Sequence, residues 1–178
     1  MNLTSPSQVK DWCITNGFHP NKVLGQNFLI DRNALESIVD AAEFMGPTRI
    51  LEIGPGLGVL TEEMLRRGHA VTVIEKDPIL AERLAPALED PPNLNVLSGD
   101  ALDFIAQGAC DGFSAMVSNL PYQAGTRILL ELVQRPTAMP ETMVVLVQTE
   151  VAERLAAGPG SKTRGLAGVW AQLDYDVK

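Results

Sequence analysis

The sequence offers little redox chemistry, few titratable groups near neutral pH and nothing suited to crossing a bilayer. It has two cysteines, Cys13 and Cys110, too far apart for a metal or redox spacing. Both are therefore expected to be structural thiols in a reduced, cytoplasmic compartment. No apolar run approaches the roughly 20 residues that a membrane helix needs. Residues 1–11 lack a basic stretch followed by an apolar one, so no signal peptide is expected. The two histidines, His19 in a linker-like stretch and His69 after Gly68, are bystanders, and no metal cluster can be assembled around them. Repeats and low-complexity segments are also absent.

Basic residues are the minority, 14 against 22 acidic, for a net charge of −8. The excess is local. Residues 36–112 hold 14 acidic and 5 basic side chains, residues 1–35 net +1, and residues 113–178 balance at 6 each. The flanks therefore do not repel a polyanion, although this chain alone should bind one weakly. At 178 residues, 46% hydrophobic and 20% charged, a single soluble globular domain is expected.

Short apolar runs alternate with helical patterns. Strands are expected at 50–53, 71–74, 94–97, 113–117 and 143–147. Helices are expected from Ser5 to Asn16, from Asp31 or Arg32 to a stop at Gly46-Pro47, and from Val59 to a stop at Gly68. Further helices are expected over 78–88, 126–133, 150–157 and 166–173. Alternation at this spacing predicts an α/β fold with a doubly wound, mostly parallel sheet and right-handed crossovers.

The chain is organised around Ile50-Leu-Glu-Ile-Gly-Pro-Gly-Leu-Gly58, a buried strand running into a turn with three alternate glycines that opens a helix. In such sheets a nucleotide-like ligand lies beyond the strand's carboxyl end. A dinucleotide fingerprint needs its third glycine where Val59 stands, and the phosphate loop needs a Lys-Ser/Thr pair that is missing. The remaining pattern, Glu52-x-Gly54-x-Gly56-x-Gly58, is that of S-adenosylmethionine (SAM) enzymes, although a ligand-free strand–helix turn has the same local form. Glycines let the backbone approach the methionine portion of SAM, and Glu52 could orient its amino group.

Two further strand ends carry carboxylates. Glu75 could accept both hydroxyls of an unphosphorylated ribose, unless it is merely an exposed strand-end acid. Asp100 could accept from an adenine amino group, or could simply cap a following helix.

Asn119-Leu-Pro-Tyr122 closes the fourth strand and names a chemistry. Methylating an exocyclic amine is hindered because the nitrogen lone pair is delocalised into the ring. The Asn119 side-chain oxygen and a backbone carbonyl left unpaired by Pro121 could accept from that amine and aim its lone pair at a methyl donor. Tyr122 offers a face on which an extruded base could stack. An Asx-Pro turn with a packed tyrosine is the alternative.

Together, Leu24-Gly-Gln-Asn-Phe-Leu29, Leu51 to Gly58, Val73-Ile-Glu75, Gly99-Asp100, Asn119 to Tyr122 and Glu150-Val-Ala-Glu-Arg154 resemble the rRNA adenine dimethyltransferases, from about Val23 onward. The small-subunit branch is the nearer likeness, because the large-subunit resistance enzymes typically have isoleucine at Leu120; Pro159-Gly-Ser-Lys162 also resembles the small-subunit branch. The resemblance implies a Rossmann-like methyltransferase that doubly methylates two adjacent adenosines of small-subunit rRNA. It implies SAM contacts from Asn27 and Leu29 beside Gly54, Glu75, Asp100 and Asn119, with Asn119, Leu120, Pro121 and Tyr122 as the catalytic motif. It also implies an N-terminal helix and linker over 1–22, a methyltransferase domain over 23–178, and a monomeric complete enzyme without metal or membrane.

Thr149 and Arg164 depart from the family, which commonly has a lysine and an aromatic residue there. The family's last strands, second base-stacking segment and helical RNA-holding domain have no counterpart before Lys178. The chain is therefore expected to keep a SAM pocket but to methylate little by itself, and its incomplete sheet edge invites self-association. The rival readings are a large-subunit rRNA or DNA adenine methyltransferase, a non-catalytic ribosome assembly factor, and a nicotinamide dehydrogenase.

Overall fold

The computed structural model describes residues 5–15, 18, 29, 31–135 and 140–178. Five strands form one sheet: β1 (Arg49–Ile53), β2 (Ala70–Glu75), β3 (Leu94–Ser98), β4 (Ala115–Asn119) and β5 (Thr142–Leu146). Their order is β3-β2-β1-β4-β5 and every pairing is parallel, as the alternating pattern predicted. From β1 the chain moves outward to one side through β2 and β3, then returns to the other side for β4 and β5. The order reverses at β1, so the crevice opens at the carboxyl ends of β1 and β4.

Strand periodicity assigns the two faces. Ile50, Val71, Val73 and Val117 pack into one core, together with α1 (Pro6–Thr15), α2 (Arg32–Asp40), α3 (Val59–Arg66) and α4 (Pro78–Ala87). Leu51, Ile53, Ile74 and Met116 belong to the other, with α5 (Ala101–Ala106), α6 (Gly125–Val133), α7 (Thr149–Ala156) and α8 (Leu166–Asp174). Glu52 shares the parity of Ile50 and therefore faces α3. Val9 and Cys13 of α1 join the first core with Phe18. The expected boundary at residues 22 and 23 lies outside the described residues.

Most helices start as their sequence suggests. Asp31 accepts from the Asn33 and Ala34 N–H groups, and Asp77 from those of Ile79 and Leu80, each capping a helix. Three elements differ from expectation by more than a residue at either end. α2 ends at Asp40 rather than near Gly46, because a turn through Ala41 and Ala42 leads Phe44 onto the ring of His69, with centroids 4.6 Å apart. β4 begins at Ala115, not Phe113, because Gly112 turns the chain at φ 76° and Phe113 receives the Arg49 guanidinium on its ring at 5.2 Å. Residues 101–106 form α5, which the apolar pattern did not declare as an element.

Candidate active site

Beyond β1, the glycine turn is made by backbone that side chains would strain. Gly54, Gly56 and Gly58 have φ of 71°, 59° and 88°, all in the left-handed region. A Cβ on Gly58 would lie 2.5 Å from Leu84 Cδ1, so the turn must pass close under α4. Gly58 starts α3 without a side-chain cap.

Glu75, at the end of β2, holds this turn in place. Its Oε2 accepts from the Gly56 N–H at 3.1 Å and its Oε1 from the Asp77 N–H at 2.8 Å. At 6% exposure it is not the exposed strand-end acid allowed above. Each carboxylate oxygen keeps a further lone pair for a ligand donor. Burial raises its pKa, against the two backbone N–H bonds.

Glu52 is more deeply enclosed, with 1% of its surface exposed. Thr61 Oγ1 donates to its Oε2 at 2.6 Å. Burial pushes its pKa up to about 8, with the Thr61 bond opposing and the negative charge of Glu75 reinforcing the shift.

On the other side of the crevice, β1 and β4 part company. Their ladder pairs Ile50 with Ala115 and Leu51 with Met116, whereas the Ile53 N–H donates to Ser118 Oγ at 2.9 Å. The separation leaves room between Gly54 and the residues after β4. Asn119 ends β4; Leu120 is buried, and its N–H donates to the Leu146 carbonyl. Pro121 supplies no N–H, and among the described residues no backbone N–H donates to the Leu120 carbonyl. The Pro121 carbonyl accepts from Ala124 and Gly125, which turns the chain into α6.

These parts surround a cavity of about 370 Å³, within the range of small-molecule sites. Leu29, Gly54, Glu75, Asp100, Asn119, Leu120 and Pro121 all line it, as do Glu52 and Gly56. Tyr122 does not. It is 45% exposed and borders a small hollow with Val147, Gln148 and Val151. Asn27 lies outside the described residues.

Asp100 caps a helix while lining the cavity: its Oδ1 accepts from the Leu102 N–H at the start of α5, and its Oδ2 pairs with Lys76 at 2.8 Å. The Lys76 bond holds its pKa below the usual carboxylate range. Among the departures from the family pattern, Arg164 donates to Gln172 Oε1, while its buried Nε has no partner among the described residues. Thr149 simply begins α7.

Several lining residues escaped the sequence reading. Gln123, in the turn before α6, and Arg127, in its first turn, also line the cavity, and no pattern in the sequence marked them. Thr61, buried behind the lining rather than part of it, was missed as well, because only the strand–turn–helix geometry returns it to Glu52. The lining fits an elongated ligand: a glycine cradle beside one buried carboxyl, a second carboxyl with spare acceptors at mid-length, and a polar far end at Asp100. Among the described residues, no three His, Cys, Asp or Glu side chains group as metal ligands. No described helix is long and apolar enough to cross a membrane.

The sequence model of a family described as ribosomal RNA adenine dimethylase matches residues 17–178. A ribosomal RNA small subunit methyltransferase A of Deinococcus radiodurans is 43% identical over 99% of this chain and 59% of its own length. One from Geobacillus thermodenitrificans is 41% identical over 92% of this chain and 58% of its own length. The chain thus spans less than two thirds of these curated relatives. Among solved structures, a dimethyladenosine transferase from Plasmodium falciparum has a TM-score of 0.68 at 25% identity, covering 80% of this chain and 51% of that one. The 23S rRNA methyltransferase ErmE has a TM-score of 0.61 at 31% identity, covering 73% of this chain and 51% of that one.

Proposed function

Because the chain belongs to the ribosomal RNA adenine dimethylase family, we propose that it is the SAM-binding part of an enzyme that dimethylates two adjacent adenosines of small-subunit rRNA. The observation that carries this reading is the convergence of Asn119-Leu-Pro121 and the glycine turn on one cavity. In this reading Glu52 and the glycine turn hold the methionine end of SAM, Glu75 the ribose hydroxyls, and Asp100 with Leu29 the adenine end. Asn27 completes the set by family resemblance.

When bound, SAM supplies an electrophilic methyl group. The chain's own part is to present the nucleophile. The Asn119 side-chain oxygen and the Leu120 carbonyl accept hydrogen bonds from the adenine amine, which turns its lone pair out of conjugation and stabilises charge developing on the nitrogen. Pro121 fixes this backbone and leaves the carbonyl available. Tyr122, exposed beside the cavity rather than within it, stacks the flipped base from the rim.

Residues 23–178 supply the methyltransferase domain, and residues 1–22 an N-terminal helix and linker. The complete enzyme is a cytoplasmic monomer that works on the small ribosomal subunit, a state that sedimentation of the full-length protein checks. The likeness to a 23S rRNA enzyme makes large-subunit rRNA the second reading; Leu120 favours the first.

Calorimetric titration of the 178-residue chain with SAM and with NADH tests the cofactor assignment. SAM should bind and NADH should not. Binding of NADH alone would return the glycine turn to the dehydrogenases.

A further inference from the structure

Glu52 has no counter-charge. The hydrogen bond its side chain makes is with the Thr61 hydroxyl, and among the described residues no lysine, arginine or histidine pairs with it. It nonetheless lines the cavity from the floor of β1, so a ligand can reach it although bulk water hardly does.

The groups around it sharpen the point. β2 brings the carboxyl of Glu75, with Asp77 behind it. β4 contributes only the uncharged Ser118 and Asn119. From α3 comes the Thr61 hydroxyl, since Glu63 is committed to Arg66 and Arg67. The cations of the lining, Lys76 and Arg127, stand toward Asp100 at the far end, with Lys76 bonded to its carboxylate. A lone buried carboxylate beside a second one is strongly disfavoured without a cation.

We propose that Glu52 carries a proton until the ammonium end of the cofactor enters, then gives that proton up to solvent, so that binding SAM releases a proton. The inference rests on the SAM reading above and makes Glu52 a positioning residue. The O–H bond of its carboxyl breaks, the proton passes to buffer, and the resulting carboxylate remains as counter-ion to the ligand's ammonium group. Thr61 assists because a hydroxyl can accept from the protonated carboxyl and donate to the ionised one. The upward displacement of the Glu52 pKa to about 8 agrees with this order of events.

Calorimetry of SAM binding to the 178-residue chain at pH 6.5, in two buffers of different ionisation enthalpy, counts the proton directly. At that pH the ligand's own α-amino group is protonated, since such groups titrate near ~7.7–8.0. Close to one proton should be released per SAM bound, and affinity should rise about tenfold per pH unit from pH 6 to 7.5. Glu52→Gln should bind SAM with no release and a flat profile below pH 7.5. Thr61→Val, which keeps the carboxyl but removes its stabilising donor, should retain the release and bind SAM more weakly at pH 6.5. SAM binding by the parent without proton release overturns the inference and leaves the cofactor reading standing. Release that persists in Glu52→Gln assigns the proton elsewhere and also overturns it. If the parent binds no SAM at all, the cofactor reading itself falls.

Discussion

Two buried glutamates, eleven residues apart, have opposite surroundings. Glu63 on α3 is 7% exposed and is gripped by Arg66 at 2.6 Å and Arg67 at 2.7 Å, with Arg67 tied on to Asp40 of α2. Hydrogen bonding to Arg66 leads the causes that hold its pKa below the usual value. Glu52 on β1 is more buried and has only a hydroxyl. A buried charge with its partners in place is a structural joint. A buried acid left without any marks the place where the protein expects a ligand.

The largest expected effect separates chemistry from fold. Asn119→Ala in the full-length protein should lower methylation by roughly 10²–10³-fold, the scale of removing one transition-state acceptor or donor, while SAM binding and melting temperature stay near those of the parent. A proportional loss of SAM affinity would instead make Asn119 a cofactor ligand only.

The next pair of effects tests the glutamates against each other. The folded-state pKa of Glu52 lies above its unfolded value, so the folded chain binds the extra proton and stability falls as pH rises from about 4.5 to about 8. Glu52→Gln should remove that slope and be more stable than the parent by roughly 2–4 kcal/mol at pH 8, with the difference vanishing toward pH 4.5. For Glu63 the sign reverses. Its stabilisation is present above the unfolded value and is lost as pH falls through the lowered folded pKa. Glu63→Gln should cost about 1 kcal/mol at pH 7, since both arginines are partly exposed, and leave SAM binding unchanged. Denaturant melts from about pH 8 down to about pH 3 read both slopes, that of Glu52 above pH 4.5 and that of Glu63 below it, and parallel profiles for the two variants would erase the contrast.

Two glycines repeat the comparison on the backbone. Gly58→Ala combines a left-handed φ with a Cβ 2.5 Å from Leu84 Cδ1 and should cost about 2 kcal/mol, with weakened SAM binding. Gly68→Ala has nearly the same φ, 87°, but open space around it, and should cost about 1 kcal/mol with binding intact. Smallest of all is Lys76→Met. Its ion pair with Asp100 is exposed, so stability should change by less than about 1 kcal/mol.

The sheet was legible because parallel strands buried on both faces write themselves as short apolar runs between helices; Ile50–Ile53 and Val71–Ile74 fall within β1 and β2. The strand ends were legible too, since Glu75, Asp100 and Asn119 each stop such a run. What the pattern could not carry was pairing through space. Nothing in the spacing says that Glu75 latches Gly56, that Lys76 holds Asp100, or that Thr61 returns to Glu52. Tyr122 illustrates the same limit: its place in the motif suggested a face for an extruded base, and only the turn through Pro121 and Gly125 shows that this face lies beside the cavity rather than in its lining.

The most direct test is transfer of labelled methyl groups from SAM by the full-length protein to unmethylated small ribosomal subunits, large subunits and adenine-containing DNA, followed by mapping of the modified base. The account predicts label in small-subunit rRNA alone, as N6,N6-dimethyl groups on two adjacent adenosines, and its disappearance with Asn119→Ala. Label confined to large-subunit rRNA or DNA, or tight SAM binding with no transfer to any of the three, would contradict it.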